Sequence, residues 1–148
     1  MQFVDPRLPR RLFGWRSPHL DLDMPIVEYG HRGHPLLLLP TAQADFLENE
    51  RFFLIKAMEP YIFDGRVRVF SIDSINKHAW MNKSVHPLEA ARRQALYSKY
   101  IEEEVVPHIR RAVGDLDTQL GELRRLAAEG ERNQVQAADE HERLAHAA

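Results

Sequence analysis

Hydrophobic and polar positions are most sharply patterned between residues 34 and 73, HPLLLLPTAQADFLENERFFLIKAMEPYIFDGRVRVFSID. An unbroken apolar run, Leu36 to Leu39, ends at Pro40. Without alternation, both of its faces are expected to be buried, as in a central strand between helices. From Asp45 or Asn49 to Phe63 the spacing turns helical. Leu47, Leu54, Met58 and Tyr61 define the predicted face, with Phe53 and Ala57 alongside, and Pro60 is expected to kink or end the helix. Asp64-Gly65 permits a tight reversal into Arg66–Ile72, where polar and apolar residues largely alternate. The stretch is one β-loop-α-β unit, the building block of a sheet covered by helices.

Upstream, residues 1–35 are punctuated by five prolines and three glycines. Leu12–Arg16 reads as a short strand stopped at Ser17-Pro18. Leu20, Leu22, Met24 and Ile26 share one parity, Val27 and Tyr29 the other, so Pro25 predicts a bulge or an edge position. Gly30-His31-Arg32-Gly33 reads as a turn. Downstream, residues 73–87 form a long polar loop carrying Trp80. Pro87 suits the first turn of a helix reaching about Val113. Tyr97, Ile101 and Val105 mark its apolar face, Pro107 is expected to bend its end, and Gly114 is a stop. The chain is thus expected to divide into an α/β part, residues 1–114, and a helical tail, residues 115–148. In the tail, Leu116, Leu120, Leu123 and Ala127 follow a coiled-coil-like 4-3-4 spacing over 116–128, and a weaker helix is expected at 131–146.

Composition narrows the function classes. At 148 residues, 44% hydrophobic and 28% charged, the chain has globular composition and suggests one domain. Residues 1–114 hold 16 Lys and Arg against 14 acids, and residues 115–148 hold 4 against 8. Neither balance makes the concentrated basic face of a nucleic-acid platform. The absence of cysteine removes disulfides, thiolate metal sites and a cysteine nucleophile. No apolar run approaches the ~20 residues needed to span a bilayer, and no apolar h-region follows the basic residues near the N-terminus. A soluble cytoplasmic protein is the expectation.

Three segments carry a family resemblance: WRSPHLDLDMPIVEYGHRGHPLLLLPT, then VFSIDSINKHAWMN with its Asp73-Ser74 and Trp80-x-Asn82, then EAARRQALYSKYIEEEVVPHIR. Residues 12–113 resemble the N-terminal part of serine esterases of the α/β-hydrolase fold, in particular the esterase-like proteins related to polyhydroxyalkanoate depolymerases. The resemblance implies a partial α/β-hydrolase-type sheet of three or four strands, antiparallel at first and then β-α-β. Residues 36–39 would be the family's third strand, 45–63 its first helix and 66–73 its fourth strand. It also implies that the loop Pro40–Ala44 supplies an oxyanion-hole amide near Thr41 or Ala42. The helix at 87–113 would lead toward the strand that carries the nucleophile.

The sequence then departs from the family. Its serines are Ser17, Ser71, Ser74, Ser84 and Ser98, and none has the flanking glycines of a G-x-S-x-G elbow. An oxyanion amide stabilises charge created by a nucleophile's attack, and no such nucleophile is identified. The expectation is therefore a truncated or divergent esterase-like chain, inactive alone. Asp73, Ser74 and His78, at the C-terminal edge of a strand, are the candidate substitute constellation. The same residues also fit a turn in which Asp73 and Ser74 satisfy backbone groups and Trp80 anchors the loop.

Other signals are sparser. His31-x-x-His34, with Glu28 and His19, can be drawn as a zinc site, although ligation needs at least three converging groups. His86 and His108 carry no spacing signal, and no cofactor is expected. Arg7, Arg10, Arg11 and Arg16 read as a solvated arm. The alternative function is a non-catalytic interaction module. In the family's strand order the third strand lies between the fourth and a fifth, and no fifth is recognised here. Leu36–Leu39 is thus expected at an open edge, which is an aggregation hazard. Self-association through that edge or through the Leu116/Leu120/Leu123 seam would cover it, as would packing of the tail.

Overall fold

The computed structural model describes residues 3–42, 44–114, 121, 124–130, 132 and 136. The chain divides into two units, Met1–Val113 and Gly114–Ala148. In the first unit, β1 (Arg10–Ser17) and β2 (Leu22–Tyr29) form an antiparallel hairpin. β3 (His34–Leu38) runs parallel to β4 (Val67–Ile72), and β4 pairs antiparallel with β2. The result is a four-stranded mixed sheet in the order β1-β2-β4-β3.

Pro25 makes no bulge. The hairpin register runs without a break from Arg10 opposite Tyr29 to Ser17 opposite Leu22. β4 pairs with β2 only from Ile26 to Tyr29, so Pro25 lies on a stretch where β2 is locally an edge. There a missing N–H costs no ladder bond.

Two helical layers cover the sheet. On one face, α3 (Pro87–Lys99), a π-type turn (Tyr100–Val105) and α4 (Val106–Val113) run on from one another. Their Tyr97, Tyr100, Val105, Ile109 and Val113 pack with Met24, Ile26, Phe70 and Ile72. The predicted face through Tyr97 and Val105 therefore meets the sheet, with Ile101 partly buried against it. His86 caps α3, its Nδ1 accepting the Leu88 N–H at 3.2 Å, with Pro87 in the first turn. The wide turn falls just before Pro107, which has no N–H to return to Glu103. Gly114 ends the run with φ 73°.

The other face is covered by α2 (Leu54–Phe63), whose Ile55 and Ile62 pack on Val27, Tyr29 and Val69. A helix was expected here, but the structure divides it. α1 (Glu48–Arg51) stops at Phe53, which takes a left-handed conformation at φ 61°. The break rotates α2 relative to the expected stripe. Ile55, Glu59 and Ile62 are buried, and of the expected stripe Leu47 and Met58 pack against that cluster while Leu54 and Tyr61 are exposed. Pro60 sits inside α2 without ending it.

β3 shows how the apolar run is used. Leu37 packs toward the α3–α4 side and Leu36 and Leu38 toward α2, so its side chains do serve both faces. It has β4 on one side and no described strand on the other. Leu39, just beyond it, is 53% exposed. Gly33 precedes β3 with φ 106°, and a Cβ there would meet the Gly65 carbonyl oxygen at 2.6 Å. Only glycine allows that approach without a shift of backbone.

In the second unit residues 124–130 are helical, with an Arg125–Glu129 ion pair at 2.8 Å. Leu116, Leu120 and Leu123 lie outside the described residues, as does most of the helix expected at 131–146. Among the described residues, no helix is long and apolar enough to cross a membrane.

Candidate functional site

The C-terminal ends of β3 and β4 open onto a cavity of about 360 Å³ lined by Ala42, Ala44, Asp45, Asp73, Ser74, Lys77 and Met81. This is where an α/β sheet of this kind places ligands. The expected oxyanion loop lies here, and one of its donors is already engaged. The Thr41 N–H donates to Glu48 Oε2 at 2.6 Å, and the Thr41 hydroxyl donates to Glu48 Oε1 at 2.6 Å. Glu48 is buried at the start of α1. Its carboxylate therefore occupies the Thr41 amide, one of the two candidates, Thr41 and Ala42, that the resemblance implies for an oxyanion.

Ser74 and Asp73 behave as turn residues. Asp73 Oδ1 accepts the Ser74 N–H at 2.9 Å, and Lys77 Nζ lies 3.7 Å from the other carboxylate oxygen. The Ser74 hydroxyl donates weakly to the Ala44 carbonyl at 3.5 Å and receives the Asn76 N–H at 3.4 Å. Tyr97 fixes the strand end from below, its hydroxyl donating to the Asp73 carbonyl at 2.8 Å. Burial, and then the Asp73 charge, push the Tyr97 phenol above its usual range.

Asn76–His78 form a short 3₁₀ turn, in which side chains three apart eclipse one another. Ser74 and Lys77 thus line one cavity, whereas Ile75 and His78 line another, with Leu20, Leu22, Arg92, Arg93 and Leu96. Trp80 does not anchor the loop, being 54% exposed. The loop is held instead by Ile75 and Ala79, both in the core beneath α3. The cavity can hydrogen-bond a polar ligand through Asp45, Asp73, Ser74 and Lys77. Hydrogen bonds among the described residues give it no nucleophile–base pair.

The densest polar cluster lies elsewhere, between the β1–β2 turn and the π-type turn. Glu104 accepts from Trp15 Nε1 at 2.7 Å, the Ser17 hydroxyl at 2.7 Å, the His19 N–H at 3.3 Å and His19 Nδ1 at 2.7 Å. His19 Nε2 reaches Glu103 at 2.8 Å. Burial raises the Glu104 carboxyl, but the Ser17, Trp15 and His19 donors outweigh it and hold it low. Glu104, and then Glu103, raise His19 against a smaller burial effect. Nearby, the His108 ring lies 5.1 Å from both Phe13 and Trp15, and burial, then Arg111, lower its pKa. Ser17 is fully buried, so this cluster fastens the hairpin to the helix. Its members sit about 85 residues apart in sequence, which is why no spacing announced them.

The drawn zinc site does not assemble. His31 and His34 are exposed on either side of the turn, and Glu28 is buried between Arg11 and Arg68. His19 belongs to the Glu104 cluster. Among the described residues, no group of three or more His, Asp or Glu is placed to hold a metal. The N-terminal arginines are exposed, as a solvated arm would be, yet each is paired, Arg7 with Asp5 at 2.7 Å. Arg10 pairs with Glu50 at 2.6 Å, Arg11 with Glu28 at 2.7 Å, and Arg16 with Asp21 at 2.8 Å. β1 extends two residues further back than expected and carries Arg10 and Arg11 onto the sheet.

Fold and site together define a mixed α/β protein with an open cavity at the ends of its two parallel strands. Compared with family models, curated proteins and solved structures, the chain matches none.

Proposed function

We propose that this chain is a divergent esterase-like member of the α/β-hydrolase group that does not hydrolyse esters by itself. The observation that carries the proposal is the strand order β1-β2-β4-β3, with β3 parallel to β4 and no described strand on its other side. That arrangement agrees with the order the resemblance implies for residues 12–113. Two further observations support the lack of independent activity. The Thr41 amide is held by Glu48, and Ser74 and His78 line different cavities. Short-chain p-nitrophenyl esters test the reading, with the purified chain and with Ser74→Ala. Turnover at background for both is expected. Turnover well above background that the variant abolishes would overturn the proposal and make Ser74 a nucleophile.

A second reading is favoured by one observation, that among the described residues no strand pairs with the outer side of β3, beside the exposed Leu39. An unpaired parallel strand with apolar side chains is a template for association. In this reading the chain is a binding module that self-associates through β3. Light scattering across a dilution series is expected to show a concentration-dependent dimer, and Leu39→Lys is expected to weaken it. A monomer at every concentration would remove the idea.

A further inference from the structure

We infer that the cavity lined by Leu20, Leu22, Ile75, His78, Arg92, Arg93 and Leu96 binds a short amphipathic monocarboxylate. The cavity measures about 290 Å³ and lies between the β1–β2 turn, the 3₁₀ turn and α3. Its floor is apolar, made by Leu20, Leu22, Ile75 and Leu96. Its rim is cationic. Arg92 and Arg93 share one carboxylate, Glu89, at 2.8–2.9 Å. Asp21, the acid on the lining, is already held by Arg16 at 2.8 Å. The α3 side of the mouth thus carries two guanidiniums against one carboxylate, while on the hairpin side Asp21 and Asp23 share Arg16.

The donors are also free to act. Glu89 takes Nε and Nη2 of Arg92, and Arg93 gives Nε to Glu89 and Nη1 to the His78 carbonyl. Arg92 Nη1, Arg93 Nη2 and the His78 ring nitrogens bond to no described residue. Guanidinium groups match a carboxylate geometrically as well as in charge. A carboxylate suits the guanidinium donors left over on α3, and an alkyl chain suits the leucine and isoleucine lining. A cavity of this size lies at the small end of ligand sites, so a chain of a few carbons fits better than a drug-sized molecule. Neither Ser74 nor Thr41 lines it, so the inference stands apart from the esterase reading.

The test is a titration of the full chain followed by amide chemical shifts, with sodium acetate, butyrate and hexanoate as probes. Hexylamine and hexanol serve as controls of the same length with the opposite charge or none. Saturable shifts are expected at Leu20–Leu22, Ile75–His78 and Arg92–Leu96. Affinity should rise by up to about fourfold for each methylene that enters the cavity. Arg92→Gln removes an exposed guanidinium and leaves the fold intact, and it is expected to weaken hexanoate at least about fivefold. Three results would each overturn the inference. They are no saturable shift with hexanoate, binding of hexylamine as tight as that of hexanoate, and hexanoate affinity unchanged in Arg92→Gln.

Discussion

Two loop regions flank the sheet, and their polar groups are treated in opposite ways. At the ends of β3 and β4, Ser74 makes long hydrogen bonds of 3.4–3.5 Å beside an open cavity. Between the β1–β2 turn and the π-type turn, Glu104 gathers four donors, three of them at 2.7 Å. The first region is where the family resemblance directs attention, and the second carried no motif. Short, saturated bonds to a buried carboxylate are what a structural clamp needs. Long, partly satisfied ones beside a cavity leave groups available to a ligand. The difference separates what holds this fold from what is left free to act.

The largest expected effect comes from breaking the clamp. Glu104 is 9% exposed at its side chain, and Glu104→Ala strands the buried Ser17 hydroxyl and the Trp15 N–H. The expected loss is about 3 kcal/mol, since donors to a charged buried acceptor are left unpaired. Urea unfolding measures it. A loss within about 0.5 kcal/mol, the range of ordinary surface changes, would mean that the cluster is not a clamp.

A smaller effect is expected from the carboxylate that holds Thr41. Glu48→Ala frees the Thr41 N–H and hydroxyl, both near the surface where water can replace the lost acceptor. The expected cost is about 1 kcal/mol by the same unfolding measurement. The variant also sharpens the functional contrast. Ester turnover should stay at background, because freeing the Thr41 N–H supplies no nucleophile. Turnover that appears on this substitution would show that Glu48 had been masking a working site.

The clamp also predicts a pH dependence. His19 has its pKa raised above the ordinary 6.5 by Glu104, and then Glu103. A raised folded-state pKa means that the native state binds the proton more tightly than the unfolded one. The stabilisation is therefore complete below about 6.5 and fades as pH rises through the raised value. Glu104, held low, contributes in the other direction and loses its share as pH falls through its depressed pKa. Unfolding midpoints measured from pH 5.5 to 8.5 should decline on the alkaline side, and His19→Gln should flatten that decline. An equal slope in the variant would place the titrating group elsewhere.

The two regions also differ in how far sequence reveals them. The β-loop-α-β unit was readable because its signals are local: the leucine run of β3, the helical spacing after Asn49 and the alternation of β4. Pro87 and Gly114 marked helix ends for the same reason. The α1–α2 stripe held at Leu47 and Met58 but failed at Leu54 and Tyr61, where Phe53, in a conformation that propensity disfavours, breaks the helix. The Asp73, Ser74 and His78 grouping is split between two cavities, a division that nearness in sequence does not reveal across a 3₁₀ turn. The Glu104 cluster was illegible because its members lie on β1, the following turn and a helix far along the chain. Only the pairing of β1 with β2, and the packing of that hairpin under the π-type turn, brings them together.

The smallest expected effect tests the free region directly. Ser74 accepts the Asn76 N–H at 3.4 Å and donates to the Ala44 carbonyl at 3.5 Å, both at the long limit of useful hydrogen bonds. Half-buried beside a cavity, both partners can turn to water once the hydroxyl is gone. Ser74→Ala should therefore change stability by less than about 0.5 kcal/mol, whereas Ser17→Ala in the clamp should cost about 1–2 kcal/mol. The same chemical deletion, made in both regions and read by one denaturation assay, isolates the difference in hydrogen-bond quality from the chemistry of the residue. Equal costs would collapse the contrast and make Ser74 a structural serine like Ser17. A near-neutral Ser74→Ala beside a costly Ser17→Ala would leave Ser74 free for a ligand, which is the property the cavity at the ends of β3 and β4 requires.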